Sequence, residues 1–154
     1  MSKGRSPEGL PGFPLREGDR DMSSLFVDPN KKFHVTVKYY EKDGATTVLK
    51  DGEKEPEEVS SLTITCREPD FQAAQVIIHS ATIFTEEAIP VVDMLRVRKA
   101  LLYHLAVSWN AKDDDGKPVP LGPDTISSLH PAIAAAACGQ IEQKMNNPIG
   151  MFLA

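Results

Sequence analysis

Residues 91–109 carry the most regular apolar pattern in the chain. Apolar side chains recur at positions 91, 94, 95, 101, 102, 105 and 109, which is close to the spacing of one face of an α-helix. Because Pro90 would disrupt a helix interior, the pattern predicts a long helix that begins at Pro90 and ends near Trp109. A polar, proline-rich loop is expected over residues 110–123.

A second helical pattern follows that loop. Five apolar residues lie four positions apart and predict the buried stripe of a final helix: Leu129, Ile133, Ala137, Ile141 and Met145. Pro131 is expected to divide this region into a short turn at 124–129 and the helix proper.

Strand patterns precede the helices. Apolar and polar residues alternate over residues 33–39 and 62–66, and residues 45–49 form a plausible return strand after the turn signal Asp43-Gly44. An earlier helix is expected over residues 70–83, and its predicted inner face consists of Phe71, Ala74, Ile78 and Ala81. The sequence therefore predicts an α+β fold, in which a three-stranded antiparallel meander packs against three helices.

The two ends of the chain differ from this globular part, which is expected to cover residues 32–146. Residues 1–31 are rich in proline and glycine and predict an extended N-terminal arm, either a plain tail or a partner-binding segment. Residues 147–154 form an apolar C-terminal tail, which either folds back onto the core or serves as a peg for another chain. The candidate partner-binding residues in these ends are Leu10, Phe13, Leu15, Leu25, Phe26, Ile149, Met151, Phe152 and Leu153.

Composition narrows the class of protein. The 154 residues suit one domain, and the net charge of −5 argues against a broad phosphate-binding surface, so no nucleic-acid partner is expected. The N-terminus lacks the apolar core of a signal peptide, and no apolar run is long enough to span a membrane. The two cysteines, Cys66 and Cys138, both lie in apolar patterns and are predicted to be buried free thiols.

The sequence contains no complete pattern for a metal site or a catalytic site. Residues 113–115 are all aspartate, but a calcium-binding loop with Gly116 at its sixth position would start at Ala111 and end at Gly122, where acidic ligands are required. The four histidines offer no pair at metal-ligand spacing, and Cys138 with His130 would make a poor nucleophile and base if burial keeps the thiol protonated. We therefore expect no enzyme activity, no metal and no cofactor.

Trp109 is the one tryptophan in the chain and a further candidate partner-binding residue. Its position at the start of the 110–123 loop favours a role as a core or cover residue beneath that loop. An anchor in a protein interface is the alternative, because tryptophan is enriched at such positions.

Two stretches carry a family resemblance. The segment Leu62-Thr63-Ile64-Thr65-Cys66-Arg67-Glu68-Pro69-Asp70 is similar to the strand, "REP" and helix opening of small tailed-bacteriophage proteins of the tail-assembly-chaperone type. The segment Val107-Ser108-Trp109-Asn110-Ala111, with the later Asp115-Gly116-Lys117-Pro118-Val119-Pro120 and Leu129-His130-Pro131, resembles the "W…DG-x-P-x-P…L-x-P" pattern of such proteins. The resemblance covers about residues 60–145, while the Pro/Gly arm departs from the family.

The resemblance implies a non-enzymatic phage morphogenesis protein that acts through protein–protein contacts. Its partners would be other phage structural proteins and copies of itself, in the host cytoplasm during assembly. A tail-assembly chaperone would leave before the particle is finished, whereas a head decoration, neck, tail or baseplate subunit would stay in the virion. The alternative is a small cytosolic enzyme or ligand-binding domain with a cleft between sheet and helices.

Overall fold

The computed structural model describes residues 25–145. Its elements follow in the order β1 (Lys32–Lys42), β2 (Ala45–Val48), β3 (Ser60–Arg67), α1 (Phe71–Ala81), β4 (Thr82–Phe84), β5 (Pro90–Val92), α2 (Met94–Leu105), β6 (Ala106–Trp109), α3 (Pro123–Ser127) and α4 (Pro131–Lys144). The prediction of an α+β fold with an antiparallel sheet is confirmed. Among the described helices, none has the length and apolar character needed to cross a membrane.

The main sheet has four strands in the order β2-β1-β3-β6, so the predicted three-stranded meander is wrong in its connectivity. β3 does not pair with β2; it returns to the other side of β1, from Lys32 opposite Arg67 to Tyr39 opposite Ser60. The short β2 pairs only with the last residues of β1. The long β1–β3 register places apolar residues opposite one another on one face of the sheet, where they join the core.

The β1–β2 connection is a two-residue turn at Asp43-Gly44, as the sequence indicates. Both residues have positive φ, 54° and 77°, which is the conformation of the type I′ turn that joins antiparallel strands. Glycine adopts this conformation without strain, and aspartate tolerates it better than most residues.

The long helix predicted between Pro90 and Trp109 is wrong at both ends. Its first residues form β5, which pairs with β4 in a separate two-stranded sheet, and α2 begins only after Asp93. The Asp93 carboxylate accepts a hydrogen bond from the Leu95 amide at 2.9 Å and so caps α2. The last residues form β6, which pairs with β3 and adds a fourth strand to the sheet.

Helix α1 is shorter than predicted, and its inner face is turned. The buried residues are Ala73, Ala74, Ile77 and Ala81, whereas Phe71 is exposed and Ile78 is only half-buried. The Asp70 side chain fixes the start of the helix by accepting a hydrogen bond from the Ala73 amide at 2.8 Å.

The C-terminal helical region agrees with the sequence. Pro131 separates the short α3 from α4, and four residues of the predicted stripe are buried while Leu129 is partly buried against the core. Helix α4 also covers the open edge of β1. The Gln140 amide accepts from the Thr36 N–H at 3.1 Å and donates to the Thr36 carbonyl at 2.6 Å, while Lys144 donates to the His34 carbonyl at 2.7 Å. These bonds replace a missing strand partner and block edge-to-edge pairing at that point.

Candidate functional site

The chain from the end of α1 to the start of α2 presents an exposed apolar surface, which we call the hairpin patch. It consists of Phe84, Ile89, Val91 and Met94, on the β4–β5 hairpin and the first turn of α2. Phe84 is the most exposed of the four, at 69%. Phe84 pairs with Pro90 and Ile83 pairs with Val91, so Phe84 and Val91 lie on opposite faces of the hairpin and both faces expose apolar surface. Exposed apolar side chains concentrated in so short a stretch are typical of a segment that another protein covers.

The hairpin is held at its base and strained at its tip. The Asp93 amide donates to the Ala81 carbonyl at 2.9 Å, which ties the two ends of the hairpin together. In the tip, the Thr85 amide donates to the Ile89 carbonyl at 3.0 Å, and Ala88 adopts a φ of 62°. Alanine in the left-handed region costs about 1–2 kcal/mol, so the fold maintains this tip conformation against its local preference.

Helix α2 connects the hairpin patch to two open grooves. Its inner face is buried in the core, and its outer face carries Arg96, Arg98 and Lys99. Two carboxylates approach these cations: Asp93 lies 3.7 Å from the Arg96 Nε, and Glu142 lies 3.8 Å from the Arg98 Nε. Both pairs are solvent-exposed, so each contributes less than about 1 kcal/mol to stability.

The first groove lies between α1 and α2 and has a volume of about 430 Å³. Its described lining consists of Ser80, Arg96, Lys99, Ala100, Tyr103 and His104. No carboxylate belongs to this lining, and the Lys99 ammonium lies 5.6 Å from the centroid of the Tyr103 ring. The basic lining therefore favours an anionic group over a cation, with Asp93 already paired to one of its cations, Arg96.

The second groove, here called the apolar groove, lies between α2, α3 and α4 and has a volume of about 380 Å³. Most of its described lining is apolar: Leu95, Leu102, Ile126, Leu129, Pro131, Ala134, Ala135 and Cys138. At its rim, the Tyr103 hydroxyl forms a hydrogen bond with the Ser127 hydroxyl. Leu95 is 76% exposed at the junction between this groove and the start of α2.

Both predicted buried thiols are confirmed as free and buried. Burial, and then the neighbouring Cys138, raises the pKa of Cys66 to about 12. The pKa of Cys138 rises to about 11, chiefly through burial and then through Glu142, against a smaller opposite effect of Arg98. Because the thiolate is the nucleophilic form, neither cysteine is suited to nucleophilic catalysis near neutral pH.

The Cys138–His130 pair considered from the sequence has other partners. Cys138 donates to the Arg98 carbonyl at 3.1 Å, and the His130 Nδ1 accepts from the Ala132 amide at 3.2 Å to cap α4. Within residues 25–145, no group of three or more His, Cys, Asp or Glu side chains gathers as a metal site would require.

The aspartates at 113–115 form part of a turn. One Asp113 carboxylate oxygen accepts from the amides of Asp115 and Lys117, both at 2.9 Å, and the Asp113 amide donates to the Lys117 carbonyl. The carboxylate thus stabilises the turn itself.

The predicted partner-binding residues are only partly within the described chain. Leu25 and Phe26 are 74% and 78% exposed, as a docking residue must be before its partner arrives. Trp109 is half-buried, and its indole N–H donates to the Val119 carbonyl at 2.7 Å, which agrees with a cover residue beneath the loop. The remaining candidates lie outside the described residues: Leu10, Phe13, Leu15, Ile149, Met151, Phe152 and Leu153.

The hairpin patch was not among the residues that the sequence singled out. The signal that could have revealed it is Pro90 followed by two valines and then Asp93, a β-prone segment directly before a helix cap.

Comparison with protein-family models, with curated proteins and with solved structures finds no match for this chain.

Proposed function

We propose that this chain is a non-enzymatic bacteriophage morphogenesis protein that acts through protein–protein contacts. The observation that carries the proposal is the hairpin patch, where Phe84, Ile89, Val91 and Met94 leave apolar surface uncovered in the isolated chain. Burial of apolar surface is the main driving force of protein association, and a patch of this kind loses contact with water when a partner binds.

The chemistry of the described residues supports the same proposal. The two thiols stay protonated near neutral pH, and the carboxylate of Asp113 is engaged in its own turn. General acid–base or nucleophilic catalysis needs groups that converge on one reacting atom. Asp70, Asp93 and His130 instead cap helices, and Gln140 and Lys144 cover the edge of β1.

The phage context rests on the sequence resemblance over residues 60–145. As a tail-assembly chaperone, the protein binds apolar segments of tail proteins in the host cytoplasm and leaves before the particle is complete. As a permanent head, neck, tail or baseplate subunit, it remains in the virion beside other structural proteins and copies of itself. Mass spectrometry of purified particles separates the two roles, since stoichiometric presence refutes the chaperone and absence refutes the permanent subunit.

The contact itself is tested by the double substitution Phe84→Ser and Ile89→Ser in the phage genome. Both side chains are exposed, so we expect the variant to fold with an unchanged thermal transition but to reduce the yield of infectious particles by at least about tenfold. Val76→Ser is the matched control, because Val76 is an exposed apolar residue on α1, outside the hairpin patch. Normal yield from the double variant would refute the proposed role of the patch.

A small enzyme or ligand-binding domain is the second candidate, and the groove between α1 and α2 favours it. Arg96, Lys99 and His104 line that groove without a carboxylate, which suits a phosphate- or carboxylate-bearing ligand. This groove lies between two helices, whereas the sequence suggested a cleft between sheet and helices. Titration with inorganic phosphate and citrate, monitored by nuclear magnetic resonance, tests this candidate. Shifts at these three residues, lost in Lys99→Glu, would favour it over the first.

A further inference from the structure

The apolar groove is open to solvent, and one of its walls belongs to α4, the helix that directly precedes the C-terminal tail. Ala134, Ala135 and Cys138 form that wall, and the same helix ends at Lys144, with Met145 as its C-cap. An uncovered groove lined by small and apolar side chains exposes surface that another segment could bury favourably.

The residues that follow Met145 have the composition to fill it. Residues 146–154 contain no charged side chain, and they include Ile149, Met151, Phe152 and Leu153. Asn146, Asn147 and Pro148 come first, and these residue types are typical of a chain reversal.

The lengths also agree. A helix rises about 1.5 Å per residue, so the distance along α4 from Met145 back to Ala134 is about 16 Å. An extended chain advances about 3.3 Å per residue, so the five steps from residue 148 to residue 153 also span about 16 Å. A reversal over residues 146–148 would therefore bring this apolar segment alongside the groove wall, with Phe152 on one face of the extended chain and Ile149, Met151 and Leu153 on the other.

We propose that the apolar groove is the docking site of this chain's own residues 149–153, which run antiparallel to α4 against Ala134 and Cys138. The contact is intramolecular because the short connection from Met145 gives the segment a high effective concentration at its own groove. This inference goes beyond the proposed function and does not depend on a phage partner.

Disulfide trapping in the full chain tests the docking. One variant combines Phe152→Cys with Ala135→Cys, and its matched control combines Phe152→Cys with Lys144→Cys. Ala135 and Lys144 are both exposed, but nine residues rotate a helix by about 900°, so they lie on opposite sides of α4. Lys144 is the β1-facing position, as its bond to the His34 carbonyl shows. Both variants carry Cys138→Ala, which removes the native thiol from the groove.

A free tail and a docked tail predict opposite rankings of the two rates of disulfide formation. In a free tail the shorter 144–152 loop closes about threefold more readily than the 135–152 loop. In a docked tail we expect the 135–152 disulfide to form at least about tenfold faster than the 144–152 disulfide, because the groove holds the two sulfurs together. Ala134→Asp, which places a charge in the groove wall, should restore the order of the free tail.

Two results would overturn the inference. Faster closure of the 144–152 pair would show that the groove does not hold the tail. Disulfide-linked dimers from the 135–152 variant, resolved on a non-reducing gel, would assign the groove to a neighbouring copy and refute the intramolecular contact.

Discussion

The orientation of α1 gives the sharpest test of the fold, because Ile77 and Ile78 exchange roles between the sequence pattern and the structure. The pattern places Ile78 on the inner face, whereas in the structure Ile77 is completely buried and Ile78 only half-buried. The substitutions Ile77→Ala and Ile78→Ala remove the same atoms from adjacent positions of one helix. The intrinsic gain in helix propensity is the same for both, so it cancels from their difference.

The expected cost follows from burial. Loss of a fully buried isoleucine side chain costs about 2–5 kcal/mol, because transfer energy and a residual cavity add together. Ile78 is only partly buried, so Ile78→Ala should cost less, about 1–2 kcal/mol, because part of its apolar area stays in contact with water. For a chain of this size 1 kcal/mol corresponds to roughly 3 °C, so Ile77→Ala should lower the melting temperature by about 6–15 °C and Ile78→Ala by about 3–6 °C.

Urea unfolding followed by the fluorescence of Trp109, the one tryptophan in the chain, measures both variants. The slope of free energy against urea concentration should stay constant, which shows that the change lies in stability rather than in the extent of unfolding. Equal costs, or a larger cost for Ile78→Ala, would refute the observed orientation of α1 and with it the packing of α1 against α2.

Three further predictions concern single contacts. Gln140→Ala removes both hydrogen bonds to the Thr36 backbone; we expect a loss of about 1–3 kcal/mol in urea unfolding and increased aggregation, measured by light scattering, because the β1 edge is uncovered. Folding raises the pKa of Cys66 from 9.0 to about 12. The contribution of this thiol to the free energy of unfolding is therefore fully present below pH 9 and is lost as the pH rises towards 12. The fall in unfolding free energy between pH 9 and 12 should be shallower in Cys66→Ala. Trp109→Phe keeps an aromatic ring but leaves the Val119 carbonyl without its indole donor, so it should cost about 0.5–1.5 kcal/mol and speed amide hydrogen exchange in the loop that Trp109 covers.

The C-terminal helices were predictable because local signals agree with one another. The apolar stripe from Ile133 to Met145 has a single periodicity, and Pro131 marks a boundary that backbone chemistry imposes. The turn at Asp43-Gly44 was predictable for the same reason, since positive φ at two successive positions favours this pair of residues.

The wrong prediction of the inner face of α1 has its cause in the composition of the helix. Its eleven residues include apolar side chains on nearly every side, so the pattern offers two inner faces that differ by one residue. Packing against α2 decides between them, and that information is not local. Burial of Ile77 rather than Ile78 is therefore a result of tertiary structure.

The wrong prediction of the ends of α2 arises from residues that fit both a helix and a strand. Val91 and Trp109 extend the helical spacing, but β-branched and aromatic side chains also favour strands, as do their neighbours Val92 and Val107. Pairing with β4 at one end and with β3 at the other selects the strand conformation. The hairpin patch exists only because of this pairing, so periodicity alone could not reveal it.

A photo-reactive amino acid at position 84 tests the central claim most directly. Introduced in place of Phe84 during phage infection, it should cross-link through the hairpin patch to a phage structural protein or to a second copy of this chain, identified by mass spectrometry. The same amino acid in place of Val76, exposed on α1 outside the patch, should give no such product. Equal products from both positions, or none from position 84, would contradict a function based on this surface.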